Sequence, residues 1–370
     1  MRSETLSIFV SLACLTACSD PSASNAPTST TEPTATKSEA VWSRVSPGGD
    51  TMCSDGSEFF FLTHAGDPDK LVFFLEGGGG CSESSSCDPE GQPTYKMTLQ
   101  DQPMPATGIF DFDNSENPFS DYSMVYVPYC TGDVHIGDND AVYQRPNGET
   151  FTVHHRGWPN AKAALDWVFD RSFAPVTIFV TGESAGAIPT PIYASLLADQ
   201  YGNARIVSLG DGAGGYRYER PVTSQQDRWQ MFNFVTQVPG FVDLTPENWS
   251  FEQLYIQAGQ AFPEMTLARF DFASDAAQSW FLGSNSENET LLENLHENNA
   301  DISKSLSDFR TFIAPSDTHT VLGKQAFYSL SVNDIRLRDW VADLAIGEGV
   351  DNILCEGCQA PEQMPSAETE

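Results

Sequence analysis

The pentapeptide Gly182-Glu183-Ser184-Ala185-Gly186 sets a serine between two glycines, directly after an apolar run at 176–181. A serine hydroxyl can act as a nucleophile when it stands clear of a sharp strand-to-helix turn, and flanking glycines leave that turn room. The same turn brings backbone N–H groups to the place where negative charge develops during attack on a carbonyl. A second glycine run, Glu76-Gly77-Gly78-Gly79-Gly80-Cys81, ends another apolar stretch, LVFFL at 71–75. An ester's tetrahedral intermediate carries an oxyanion, and glycines let N–H groups approach it closely. Gly78, Gly79 and the residue after the serine, Ala185, are the expected donors. No Gly-Lys-Ser/Thr follows the run, which argues against a phosphate loop.

Such acyl transfer needs a base, and neutral imidazole can take a serine proton near neutral pH. The chain has six histidines. With this type of elbow the order along the chain is nucleophile, acid, histidine. That order sets aside His64, His135, His154 and His155. His296 sits in a tract rich in Asn and Glu with no strand before it. His319 follows the apolar run at 311–314, in the loop opened by Pro315-Ser316-Asp317-Thr318, and is the expected base. Asp211, Asp271 and Asp275 each lie at or just past the end of a strand-like run. Spacing leaves all three open as the orienting acid, since Asp is also a common turn residue. The chemistry requires no metal and no organic cofactor.

The elements that must carry these groups alternate. Strands are expected at 71–75, 123–129 (ended by Pro128), 176–181, 204–209, 266–272 and 311–314. Helices are expected at 160–170, at 185–200 with Pro189 and Pro191 disturbing the first turns, and at 331–346. The polar tract at 283–301 reads as a surface loop or solvated helix. Alternation of this kind gives an α/β fold, with a mostly parallel sheet and helices on both faces.

The chain has 370 residues, 40% of them hydrophobic and 11% aromatic, enough for one large core. A formal charge of −32 excludes nucleic acid as a partner and would repel free polygalacturonate. Residues 1–18 read as an export signal ending in Leu15-Thr16-Ala17-Cys18, a lipobox-like sequence with Cys18 as the lipidated residue. Residues 19–40, rich in Ser, Thr and Pro, read as a disordered tether, followed by a single domain at 41–358 and an acidic tail at 359–370. The expected location is outside the cytoplasm, lipid-anchored to the bacterial cell envelope at the outer membrane or secreted, with the anchor as the only membrane contact. A monomer is expected. Export makes Cys53, Cys81, Cys87, Cys130, Cys355 and Cys358 disulfide candidates, with fifteen possible pairings. A Cys81–Cys87 bridge would close a short loop, and Cys355–Cys358 a terminal clip.

Taken together, LEGGGGC at 75–81, Cys87-Asp88, NPFSDYSMVYVPYCTGD at 117–133 and GESAGA at 182–187 resemble the signature segments of pectin acetylesterases and Notum-type carboxylesterases, a family of α/β-hydrolases. Asp275-Ala276-Ala277-Gln278 is similar to the segment bearing that family's catalytic Asp, and His319-Thr320-Val321 fits its histidine region. The resemblance implies an α/β-hydrolase-like fold and a Ser184, Asp275, His319 triad. It also implies hydrolysis of carboxylic esters, foremost O-acetyl groups on a polysaccharide. Longer acyl esters form the alternative within esterases, and a non-catalytic surface binding protein the alternative outside them. Plant members and Notum-type members carry a Trp in the glycine loop, whereas this chain has Gly80 just before Cys81, a departure that opens or softens the wall near the reacting carbonyl.

Overall fold

A computed structural model of the chain describes residues 42–100, 104–171, 174–217, 227–283, 289–355 and 358. The export signal, Cys18, the tether and the acidic tail lie outside the described residues, which all belong to one compact unit.

An eight-stranded sheet runs in the order β1-β2-β4-β3-β7-β8-β9-β10. Its strands are β1 (Trp42–Val45), β2 (Phe61–His64), β3 (Asp67–Leu75), β4 (Tyr122–Val127), β7 (Thr177–Glu183), β8 (Arg205–Asp211), β9 (Thr266–Phe272) and β10 (Phe309–Ala314). From β4 to β10 the neighbours pair in parallel, while β1 and β2 form an antiparallel edge. The continuous apolar runs follow from this arrangement, because a parallel strand is covered on both faces. In β3, Leu71, Phe73 and Leu75 enter one core, whereas Val72 and Phe74 enter the other.

Helices α2 (Gly157–Phe169), α3 (Thr190–Gln200) and α5 (Phe251–Ala261) bury their apolar sides in the first core, and α8 (Leu337–Ile346) in the second. Shorter helices are α1 (Ser84–Cys87), α4 (Phe232–Val235) and α6 (Ala276–Phe281); α7 (Glu289–Ser305) packs along α5. Among the described residues no helix is long and apolar enough to cross a membrane. Three bridges form: Cys53–Cys130, Cys81–Cys87 and Cys355–Cys358.

Three sequence expectations need correction. The helix expected at 331–346 begins only at Leu337. Before it, β11 (Ser331–Val332) and β12 (Ile335–Arg336) pair antiparallel around Asn333 and Asp334, both at positive φ. That Asn-Asp pair is the chemistry of a type I′ hairpin turn. The helix expected at 185–200 is divided: a 3₁₀ turn covers Ser184–Gly186, and α3 starts at Thr190 after Pro189. The polar tract at 283–301, expected as a surface loop or solvated helix, is a helix where it is described, and only its solvation needs correction. α7 buries Leu291, Leu295, Asn298 and Ile302, so its polarity marks one face only. A hairpin of β5 (Asn139–Gln144) and β6 (Thr150–His155) was not anticipated.

Candidate active site

The sheet's central strand, β7, runs directly into Ser184, which holds φ at +52°. A side chain at positive φ costs about 1–3 kcal/mol and persists only where neighbours enforce it. The enforcement comes from the flanking glycines. A Cβ on Gly182 would lie 2.4 Å from the Gly186 carbonyl oxygen, and one on Gly186 would lie 2.1 Å from that of Leu75 at the end of β3. The elbow is therefore folded against the strand that leads into the glycine loop.

His319 lies in the loop after β10, and its Nδ1 is 2.7 Å from Asp275 Oδ2. Of the three carboxylates left open by spacing, only Asp275 reaches the imidazole. It also caps α6, its Oδ1 accepting the N–H groups of Ala277 (2.9 Å) and Gln278 (3.0 Å). Burial pulls the His319 pKa down, but the hydrogen bond and charge of Asp275 outweigh it, and Asp211 and Glu183 add to a net rise above the ordinary value. The other two aspartates brace the loops. Asp211 Oδ2 accepts the N–H groups of Val321 and Leu322, both at 2.8 Å, which fixes the chain just past His319. Asp271 Oδ1 accepts from Gly214 N at 2.8 Å. His296 is exposed on α7.

Asp211 is fully buried, and burial pushes its carboxyl up to about 7; the two amides oppose this, Glu183 adds to it, and His319 lowers it. In the unfolded chain it ionises near 3.8. Between those values the folded state holds the extra proton, so this group's contribution to stability falls as pH rises from about 4 to 7. Asp211→Asn keeps an acceptor for both amides and removes the titration. The variant should gain up to about 4 kcal/mol over the parent above pH 7, with the gain vanishing towards pH 4. Urea unfolding at pH 4.5 and 8 checks this, and an equal difference at both pH values would contradict it.

The glycine loop packs against the elbow. A Cβ on Gly77 would lie 2.8 Å from Ser184 Cβ, and one on Gly79, at φ +76°, would lie 2.1 Å from the Thr94 carbonyl oxygen. Gly77, nearest to the serine, was not singled out from sequence. The Gly78 carbonyl accepts from Lys96 N at 2.8 Å. A trans peptide directs its N–H opposite its C=O, so the Gly79 N–H points away from Lys96. Gly80 differs from its neighbours, since nothing comes nearer than 3.7 Å to an added Cβ.

Below the loop, Glu76 pairs with Lys96 at 2.7 Å and accepts from Tyr129 N at 2.8 Å. His135, buried and neutral with its pKa pushed down to about 4, bonds the Glu76 carbonyl through Nε2. The segment at 117–133 thus acts from beneath, as a support.

Two cavities meet at Ser184. One, of about 490 Å³, is lined by Gly78, Gly79, Glu183, His319 and Thr320. The other, of about 310 Å³, is lined by Gly80, Ser82, Ser86, Thr94 and Ala185 and by the apolar side chains of Ile188, Tyr216, Trp229 and Phe251. Gly79, Trp280 and Phe281 border both, and Trp280 is 61% exposed. This aromatic pair at the end of α6 carried no signal in the sequence beyond two adjacent rings. The glycine loop, the serine and the histidine expected from sequence are thus brought together, with Ala185 and the Asp275 carboxylate alongside.

The fold matches a solved structure of the Wnt deacylase Notum from Drosophila, with a TM-score of 0.64 over 86% of this chain and 97% of that one, at 19% identity. In sequence the chain is 26% identical to Pectin acetylesterase 4 of Arabidopsis thaliana over 168 residues, and 28% identical to the palmitoleoyl-protein carboxylesterase NOTUM of Schmidtea mediterranea over 149 residues. Those matches take in 44% and 37% of this chain but only 40% and 26% of the relatives' own lengths. A shorter match, 29% identical over 98 residues, is to a Danio rerio protein named an inactive palmitoleoyl-protein carboxylesterase. A family model described as Pectinacetylesterase matches residues 32–272, a stretch that holds the glycine loop and Ser184 and stops just short of Asp275. With more than half of its length inside that match, the chain belongs to the pectinacetylesterase family.

Proposed function

We propose that the protein is an exported serine carboxylesterase that removes O-acetyl groups from a polysaccharide. The observation that carries this reading is the Asp275–His319 pair opening onto the cavity that Ser184 lines from its elbow. Ser184 Oγ attacks the ester carbonyl carbon while His319 Nε2 takes its proton. The carbonyl electron pair becomes an oxyanion, held by the N–H groups of Gly78, Gly79 and Ala185. Collapse breaks the bond to the alcohol oxygen, which receives the proton from His319. Water then attacks the acyl-serine with His319 again as base, releasing the carboxylic acid and restoring Ser184. Because one relative bears the name inactive, family membership alone does not establish turnover. Labelling of Ser184 by a fluorophosphonate separates a working enzyme from a binding protein on the same fold.

The leaving alcohol must lie beside His319, in the wider cavity, where Trp280 and Phe281 offer faces on which sugar rings stack. The acyl group then points past Ala185 into the narrower cavity, towards its apolar wall of Ile188, Tyr216, Trp229 and Phe251. An acetyl group fills little of about 310 Å³, at roughly 30 Å³ for each group the size of a water molecule. That excess volume favours a second reading, hydrolysis of longer acyl esters.

Acetate release from acetylated polysaccharides, compared with p-nitrophenyl esters from two to twelve carbons, decides between them. Since Gly80 has space before it, Gly80→Trp should enter the apolar cavity without moving the backbone. It should lower kcat/KM for octanoate by about tenfold to 200-fold and for acetate by less than about threefold. Equal losses on both would place Gly80 away from the acyl path.

The three disulfides support folding in an oxidising compartment. Lipid attachment at Cys18 accords with export; fatty-acid labelling that survives Cys18→Ala would rule it out. The same reading takes the protein as a monomer.

A further inference from the structure

Gln278, one turn into α6, is fully buried beside the acid. Its Nε2 donates to Asp275 Oδ2 at 3.1 Å and to Asp271 Oδ1 at 3.0 Å, and its Oε1 accepts from Gly215 N at 2.9 Å. A primary amide has two N–H donors and one carbonyl oxygen, so both donors are used. The bond to Asp275 falls on the same oxygen that faces His319 Nδ1. The carboxylate therefore has four donors: two backbone N–H groups on Oδ1, and the imidazole and the amide on Oδ2.

The far side of Gln278 leads to the other half of the cleft. Gly214 N donates to Asp271, and Asn298 Nδ2 donates to the carbonyls of Gly214 and Tyr216. Tyr216 is a wall of the apolar cavity. A Cβ on Gly215 would lie 3.1 Å from Gln278 Oε1 and 2.1 Å from Leu291 Cδ1, so this turn fits against the amide closely. One side chain thus joins the acid beside His319 to the turn that shapes the apolar wall.

We propose that Gln278 is a positioning residue, which holds the Asp275 carboxylate in the one orientation that serves His319 and ties it to the wall of the apolar cavity. The proposal rests on the serine esterase reading for its kinetic consequences but not for its structural ones. Without the amide, Asp275 keeps only its α6 cap to set its rotation, and its Oδ2 carries its charge undivided towards the imidazole. His319 also faces Asp211 from the end of β8 and Glu183 from the end of β7, while Lys324 donates to its carbonyl; none of these groups changes.

The test uses Gln278→Ala and the nearly isosteric Gln278→Glu in the mature protein with its disulfides. For p-nitrophenyl acetate, kcat should fall about 10- to 100-fold with KM changed less than about threefold. The acidic limb of the kcat/KM profile should move to higher pH in both variants. The His319 titration, followed by NMR in the absence of substrate, should move the same way. Unchanged kcat and an unmoved titration in a folded variant would overturn the proposal, and so would failure of both variants to fold, which would assign Gln278 to packing alone. A parent that neither hydrolyses esters nor labels with fluorophosphonate would instead refute the esterase reading, while the NMR titration would still report whether Gln278 acts on His319.

Discussion

Replacing Ser184 with alanine is expected to lower kcat for p-nitrophenyl acetate by roughly 10⁴- to 10⁶-fold, with KM within about threefold of the parent. The size follows from the proposed role, in which Oγ forms and breaks a covalent bond that no weaker interaction can replace. KM should hold because the cavities on either side of the residue keep their walls. Fluorophosphonate labelling should disappear with the activity. The backbone supplies an independent check. Ser184 stands at φ +52°, and alanine there bears the same strain as serine. Glycine does not, so Ser184→Gly should be more stable than Ser184→Ala by up to about 1–2 kcal/mol, after the flexibility it adds to the unfolded chain. Esterase activity within tenfold of the parent in either variant would remove Ser184 from the mechanism.

The parallel half of the sheet was legible because each strand is buried on both faces, so its apolar run is unbroken; β3, β4, β7, β8, β9 and β10 all fall on expected runs. The antiparallel edge was not. Trp42–Val45 and Phe61–His64 are four residues each and partly exposed, too short and mixed to stand out. The β5–β6 hairpin alternates buried with exposed residues in a polar stretch and escaped for the same reason. The 331–346 error has a different origin. The apolar spacing there does belong to a helix, but Asn333-Asp334 imposes a turn first, and local turn chemistry outranked periodicity.

In the site, the two glycine motifs could be read because close backbone approach leaves glycine as the only residue that fits. The acid could not be read from spacing, since Asp211, Asp271 and Asp275 all lie at strand ends on the same side of the sheet. Which of them meets His319 depends on how the loops after β8, β9 and β10 fold over one another. Gln278 was visible as a letter in a motif, but its function exists only through contacts 7 and 63 residues away along the chain.

Loss of the Cys53–Cys130 bridge should be the costliest covalent change outside the site. The bridge spans 77 residues and joins the loop before β2 to the loop after β4. Closing a loop of that length in the unfolded chain is worth about 4.5 kcal/mol in the chain-entropy model, against about 2.2 kcal/mol for the six-residue span of Cys81–Cys87. For a domain of this size, the double variant Cys53→Ala/Cys130→Ala should melt roughly 7 °C below the parent. Function should divide the other way. Cys81 lines the apolar cavity and its carbonyl accepts from Trp229 Nε1 at 2.8 Å, so Cys81→Ala/Cys87→Ala should melt only a few degrees lower yet lose more kcat/KM. Calorimetry of both variants beside their esterase kinetics tests the division. A larger drop in melting temperature for the Cys81–Cys87 variant would mean that the short loop, not the long one, holds the glycine loop and the sheet together.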